Sequence, residues 1–96
     1  MLLLVTYDVN TENEEGKRRL RKVARLCEAN GQRVQNSVFE CTVDNAQMVV
    51  LRADLINAID PQYDSLRLYR LGNNYRQKVE AFGVAKGFCL DEPLII

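Results

Sequence analysis

The chain has 96 residues, 47% of them hydrophobic and 27% charged, which is typical of one small globular domain and excludes a disordered, fibrous or membrane-spanning protein. Basic and acidic residues number 13 each, so net charge alone does not attract the chain to a polyanion. Histidine, the commonest general base, is absent. Any catalysis must therefore depend on carboxylates and a metal ion.

The sequence has no export or anchor pattern. The opening run Met1 to Val5 is too short for a signal-peptide core, and no apolar stretch reaches about 18 residues. Cys27, Cys41 and Cys89 are odd in number and widely spaced, which suits neither a disulfide framework nor a metal cluster. We expect a reduced cytoplasmic protein without a membrane segment.

The first two predicted elements are a buried strand and a two-sided helix. The largely apolar run from Leu2 to Val9, which contains Asp8, predicts a central strand. Thr11 with Glu14 forms a capping-box pattern at the start of the helix, and Gly31 is expected to end it as a left-handed cap. Its apolar face comprises Leu20, Val23, Ala24 and Cys27.

The opposite face of this helix is cationic. Between Lys17 and Arg33 there are seven basic residues and one acid, Glu28. At about 100° per residue, five of them fall opposite the apolar face. They are Lys17, Arg18, Arg21, Lys22 and Arg25. The chain is neutral on average but locally basic.

The remaining pattern alternates strand and helix signals. Residues 33–43 predict either a tight hairpin or one strongly bent strand. Asp44 with Gln47 predicts the cap of a second helix, which Pro61 terminates. We expect the buried face of that helix to comprise Ala46, Val49, Val50, Ala53 and Ile56. A half-buried strand follows at Ser65 to Leu71, with Leu66 and Leu68 on one side, and short apolar stretches follow at residues 79–84 and 94–96.

This order predicts an α+β, ferredoxin-like split βαβ domain spanning residues 1–96, with an antiparallel sheet, two helices on one face and one or more C-terminal strands. The other face of such a sheet is bare. A second copy related by a two-fold axis covers it most simply. We therefore expect a homodimer in which the segment 75–96 contributes to the interface.

Asp8 is the first candidate for chemistry, because it stands at the carboxyl end of the buried first strand. From this position alone, a plain turn or helix-entry residue is the simpler interpretation. One carboxylate makes a poor magnesium site, since hard cations prefer several oxygen ligands. A two-fold axis that brings two copies of Asp8 together would supply the second carboxylate.

The cationic face of the helix is the second candidate. Charged residues opposite an apolar stripe are commonly just solvated surface, but this face lacks the acids that an ordinary helix uses for i,i+4 pairs. Unpaired guanidinium groups suit phosphate oxygens. The chain has no glycine-rich phosphate loop or base-reading motif, so backbone contact is expected. A second basic group, Arg67, Arg70, Arg76 and Lys78, is the alternative surface for DNA.

Four blocks of sequence in this order resemble the small universal CRISPR-associated protein of the spacer-acquisition machinery. They are Tyr7-Asp8, Gly16 to Arg19, Gly31 to Cys41, and Asp64 to Gly72. The resemblance implies a ferredoxin-like homodimer that works with the integrase subunit of the adaptation complex and helps to hold new DNA for insertion. It also implies a metal-dependent endonuclease acting on single-stranded RNA or double-stranded DNA.

The resemblance assigns roles to particular residues. Asp8 of each protomer would coordinate Mg²⁺ or Mn²⁺ and, with Tyr7 supporting it, form the catalytic group. Ser37 and Phe39 would shape the site. The nucleic-acid-binding residues are expected to be Arg18, Arg19, Arg21, Lys22, Arg25 and Arg33.

Two other functions remain open at this point. The chain could be a non-catalytic DNA-binding scaffold of the adaptation complex, in which Asp8 is vestigial. It could also be a small-molecule regulatory module, because the ferredoxin-like fold hosts many functions. That function requires a ligand pocket to which no sequence feature points.

Overall fold

A computed structural model describes residues 1–83 of the chain. These residues form four strands and two helices, followed by one turn of 3₁₀ helix at Tyr75–Gln77. The elements are β1 (Leu2–Asp8), α1 (Glu14–Glu28), β2 (Gly31–Gln35), β3 (Val38–Thr42), α2 (Asn45–Ala58) and β4 (Ser65–Gly72). The expected C-terminal strand at residues 94–96, and most of the expected interface segment 75–96, lie outside the described residues.

The four strands form one antiparallel sheet in the order β2-β3-β1-β4. This order confirms the predicted α+β, ferredoxin-like arrangement, in which β1 is central and its acidic end, Asp8, is paired with Ser65 of β4. Residues 31–42 form a tight hairpin around Asn36 and Ser37, which settles the choice between a hairpin and a bent strand.

The core lies between one face of the sheet and the two helices. Alternate residues of β1, namely Leu3, Val5 and Tyr7, are buried there, as the period of two in a strand requires. The helices and the other strands contribute Val23, Ala24, Cys27, Phe39, Cys41, Met48, Leu51 and Leu55. The predicted apolar face of α1 is therefore confirmed, with Leu20 half-buried at its edge.

Two predicted ends of α1 are wrong. The N-cap is Asn13, not Thr11, and its side chain accepts a hydrogen bond from the amide of Gly16 at 2.7 Å. Gly31 is the first residue of β2, and the helix ends at Glu28 with Ala29 as its C-cap, without a left-handed residue. Glycine is needed at position 31 for another reason: an added Cβ would lie 1.9 Å from the carbonyl oxygen of Glu40.

The predicted buried face of α2 is also wrong, although its capping box at Asp44 and Gln47 is confirmed. The residues that α2 buries are Met48, Leu51, Leu55 and Ala58. The side that was expected to be buried is exposed, with Val49 at 69% and Val50 at 60%. Both sides of this helix carry apolar residues, so periodicity does not define which of them faces the sheet.

Candidate metal and nucleic-acid site

Asp8 lies at the exposed end of the buried strand β1. Tyr7, the residue before it, is 1% exposed and points into the core, so Asp8 points to the other side of the sheet. Within residues 1–83, the Asp8 carboxylate has no hydrogen-bond or ion-pair partner. A free carboxylate is thus presented at the rim of the sheet on a rigid strand.

A buried polar cluster lies on the core side of the sheet and includes Tyr7, the residue before Asp8. The carboxylate of Asp64, whose side chain is fully buried, accepts hydrogen bonds from the Tyr7 hydroxyl and from Arg19. The Nε of Arg19 lies 2.8 Å from Oδ2 of Asp64, and its Nη2 lies 3.2 Å from Oδ1. The amide of Asp60 donates a further hydrogen bond to Oδ2 at 3.0 Å. We call Tyr7, Arg19 and Asp64 the Asp64 cluster.

The hydrogen bonds of the Asp64 cluster fix its charge states. Burial alone would raise the pKa of the Asp64 carboxyl, but the hydrogen bonds from Arg19, Tyr7 and the Asp60 amide outweigh it and leave that pKa below its ordinary value. The pKa of the Tyr7 hydroxyl is raised by burial and by its hydrogen bond to Asp64. The hydrogen bond to Asp64 also raises the pKa of Arg19. At neutral pH the cluster holds an ion pair and a protonated tyrosine.

The sequence predicts Arg19 to be a phosphate-binding residue and assigns no role to Asp64. Arg19 is instead bound to Asp64 and is largely buried, unlike its neighbour Arg18. Asp64 precedes a strand after Pro61, where an acid is typical of an ordinary turn. The signal that could have found it is Tyr7, because a buried tyrosine hydroxyl needs a polar partner.

The hairpin of β2 and β3 brings the other expected site residues together beside β1. The Tyr7 amide donates to the Ser37 carbonyl at 2.9 Å, which fastens the hairpin turn to the end of β1. Phe39 is fully buried, and the guanidinium carbon of Arg33 lies 5.4 Å from its ring centroid. The Nε of Arg33 is buried and has no hydrogen-bond partner within residues 1–83. Phe39 therefore acts as a core residue that supports Arg33.

The cationic face of α1 is present as expected. Arg18, Arg21, Lys22 and Arg25 are exposed, and none of the four forms an ion pair within the described part of the chain. Lys17 differs from them, since its Nζ lies 3.6 Å from Glu14. The alternative basic group is partly occupied: Arg67 donates to the Tyr69 hydroxyl, and Lys78 donates to the Leu71 carbonyl. Within residues 1–83, the four cations of α1 are therefore the more accessible basic group.

Three further observations concern metal clusters, grooves and membrane-spanning helices. Within residues 1–83, no group of three or more cysteines and acids lies close enough together to hold a metal ion. A largely apolar groove of about 410 Å³ runs between α1 and α2. It is lined by Leu26, Ala29, Asn30, Ala46, Gln47, Val50, Leu51 and Asp54, and includes no member of the Asp64 cluster. No helix in the described range is long and apolar enough to cross a membrane.

Comparison with known proteins relates this arrangement to one family. Residues 1–79 match the family profile described as CRISPR associated protein Cas2. The chain is 56% identical to the CRISPR-associated endonuclease Cas2 of Halalkalibacterium halodurans over 99% of both chains. It is 55% identical to the CRISPR-associated endoribonuclease Cas2 of Chlorobaculum tepidum over the full length of both. The crystal structure of Streptococcus pyogenes Cas2 at pH 6.5 superposes with a TM-score of 0.78, at 54% identity, covering 86% of this chain and all of that one.

Proposed function

The chain belongs to the CRISPR-associated Cas2 family, and from that membership we propose that it is a metal-dependent endonuclease that also binds DNA in spacer acquisition. Relatives at 55–56% identity over nearly the whole chain carry the names endonuclease and endoribonuclease, which supports hydrolysis of phosphodiester bonds. The observation that carries the proposal is the exposed carboxylate of Asp8 at the end of β1, which has no partner within residues 1–83.

The donor set fits a hard divalent cation when two protomers combine. Asp8 of each protomer would hold Mg²⁺ or Mn²⁺, because oxygen ligands suit these ions and substrate phosphate and water complete the shell. The bound ion would supply the Lewis acidity for phosphodiester hydrolysis. The chain's own contribution is to hold Asp8 in place, through Tyr7 in the core and Ser65 on the neighbouring strand.

The cations of α1 would bind the nucleic-acid backbone. Arg18, Arg21, Lys22 and Arg25 are exposed and unpaired within the described residues, so each can contact phosphate oxygens without breaking an internal ion pair. Such contacts attract RNA and DNA alike and carry no sequence preference. Arg33, supported by Phe39, is the further candidate near the hairpin.

The face of the sheet opposite the helices supports the proposal of a homodimer. Leu4 of β1 lies on that face beside its register partners Tyr69 and Glu40, and neither Leu4 nor Tyr69 is fully buried. We propose that a second copy covers this face and brings the two Asp8 residues together. Light scattering should give a dimer at micromolar concentration, and truncation after Asp91 should weaken it. A mass of 11.0 kDa at high concentration would refute both the dimer and the shared metal site.

The association with the integrase subunit is proposed on family membership, and the scaffold function without catalysis is its alternative. Both functions share the cationic surface and differ in Asp8. Cleavage and gel-shift assays on duplex DNA and single-stranded RNA, with and without Mn²⁺, distinguish them.

In these assays Asp8→Ala should lose cleavage by more than about 100-fold, since removal of a ligand exceeds the effect of its supporting residues, and should keep its affinity for nucleic acid. Asp54→Ala, which removes an exposed acid of α2, is the matched control and should cleave like wild type. Equal cleavage by Asp8→Ala and wild type would leave the scaffold as the function.

A further inference from the structure

The Asp64 carboxylate joins three segments that are distant in the sequence. Tyr7 of β1 lies 57 residues away along the chain and Arg19 of α1 lies 45 residues away, and both donate to it. The backbone amide of Asp60, in the loop between α2 and β4, donates to Oδ2 of Asp64, the oxygen that also accepts from Tyr7 and from Nε of Arg19. Both carboxylate oxygens are used, so the group has one preferred orientation.

The Asp64 cluster is connected to the candidate metal ligand along two neighbouring strands. Tyr7 precedes Asp8 on β1, and Asp64 precedes Ser65, the residue that pairs with Asp8 across the sheet. The cluster therefore holds the chain at Tyr7, one residue before Asp8 on β1, and at Asp64, one residue before Ser65 on β4. The cluster thereby restrains the backbone at the end of β1 that carries Asp8.

Stability alone does not account for a buried ion pair at this position. Burying charge carries a desolvation cost, and well-packed apolar residues of similar volume are commonly as stable as a buried pair. An ion pair with two hydrogen bonds adds a defined geometry to the groups that it joins. A defined geometry is useful at this end of β1, because the strand carries the exposed carboxylate of Asp8 there.

We propose that Asp64 is a positioning residue: through Tyr7 and Arg19 it fixes the direction of the Asp8 carboxylate, so that two copies of Asp8 can hold one divalent cation. This inference rests on the proposed metal site, which it deepens by naming the residue that orients the ligand. Asp64 itself touches neither the metal nor the substrate. Its effect is on the affinity for the ion, in the way that groups behind a metal ligand set its orientation.

The test measures binding of Mn²⁺ alone, without substrate, by electron paramagnetic resonance. Asp64→Asn keeps the shape of the side chain and removes its charge. In the folded dimer it should weaken Mn²⁺ binding about 10-fold or more. Asp54→Asn, with the same chemical change on the exposed side of α2, is the control and should bind Mn²⁺ like wild type. Cleavage by Asp64→Asn should recover at saturating Mn²⁺, because the ligand itself is intact.

A folded, dimeric Asp64→Asn whose affinity for Mn²⁺ is within about twofold of wild type would overturn the proposal, whatever its thermal stability. Should this variant fail to fold, Tyr7→Phe takes its place, since it removes one hydrogen bond of the cluster and leaves the ion pair. It should weaken Mn²⁺ binding severalfold, and unchanged binding would be equally decisive against a positioning role.

Amide hydrogen exchange separates this proposal from the proposed function. If wild type binds Mn²⁺ no better than Asp8→Ala, the metal site is refuted, and exchange in the metal-free protein still tests Asp64. Positioning predicts that Asp64→Asn accelerates exchange at residues 6–8 and 65 while residues 3–5 of β1 stay protected. Uniform acceleration over the whole sheet would show that Asp64 only stabilises the fold, and would overturn the proposal.

Discussion

Arg18 and Arg19 are neighbours on α1 that lie in opposite surroundings. Arg18 is exposed among cations that have no ion-pair partner within the described residues, whereas Arg19 turns toward the sheet and binds the buried carboxylate of Asp64. One helix thus carries an open electrostatic surface on one side and a fixed ion pair on the other. The role of a basic residue in a basic run therefore depends on its exposure and on its binding partners. Composition alone does not assign that role.

The largest expected effect is on stability, and it separates the two arginines. Arg19→Ala should lower the free energy of unfolding by about 3 kcal/mol, because it leaves the buried Asp64 carboxylate without its counter-charge. Arg18→Ala should change it by less than about 0.5 kcal/mol, as at other exposed positions. Urea denaturation of the two variants measures both values. Equal losses would show that the ion pair contributes nothing beyond ordinary surface charge.

Acid should remove part of the same stabilisation. The pKa of Asp64 is lower in the folded chain than its ordinary value of 3.8, so the folded state binds this proton less readily than the unfolded state. The contribution is complete well above pH 3.8 and is lost as the pH falls through the folded pKa. In urea titrations from pH 7 to pH 3, wild type should lose more stability than Asp64→Asn. Parallel losses would show that other carboxyl groups govern the acid response.

Much of the fold follows from local patterns, and the exceptions have physical reasons. The single apolar stripe of α1 defines its orientation, and Leu66 and Leu68 of β4 face the core as their alternation predicts. The orientation of α2 is not defined locally, because Val49 and Val50 compete with Met48 and Leu51. Only packing against α1 and the sheet decides between the two sides.

The residues of the candidate site also differ in whether a local pattern identifies them. Asp8 can be identified from the sequence because its signal is local, an acid at the end of an apolar strand. Asp64 has no such local signal, because its role depends on Tyr7 and Arg19, which lie 57 and 45 residues away; the buried Tyr7 hydroxyl indicates that a polar partner exists but not which residue it is. Long-range polar contacts of this kind leave no periodic pattern. They become visible when the sheet register places Ser65 beside Asp8.

The cationic face should act through summed charge. Reversing Arg18, Arg21 and Arg25 to Glu should weaken duplex binding about tenfold or more at every sequence tested, and should reduce the slope of log affinity against log salt by about 2.7. These side chains point away from the core, so the fold should be retained. Fluorescence anisotropy at several salt concentrations measures both effects. An unchanged slope in a folded, dimeric variant would transfer DNA binding to another surface, such as Arg67 and Arg70.

The smallest expected effect tests whether geometry or charge matters at each position. Lysine keeps the charge of arginine but lacks the planar fork that binds both carboxylate oxygens. Arg19→Lys should therefore cost about 1 kcal/mol of stability, since the two hydrogen bonds to Asp64 cannot both be kept. Arg18→Lys should leave both stability and affinity for duplex DNA nearly unchanged, because a solvated phosphate contact depends mainly on charge. A loss of DNA affinity in Arg18→Lys would indicate that Arg18 binds one phosphate through two hydrogen bonds. The exposed face of α1 would then bind DNA through defined hydrogen-bond geometry as well as through charge.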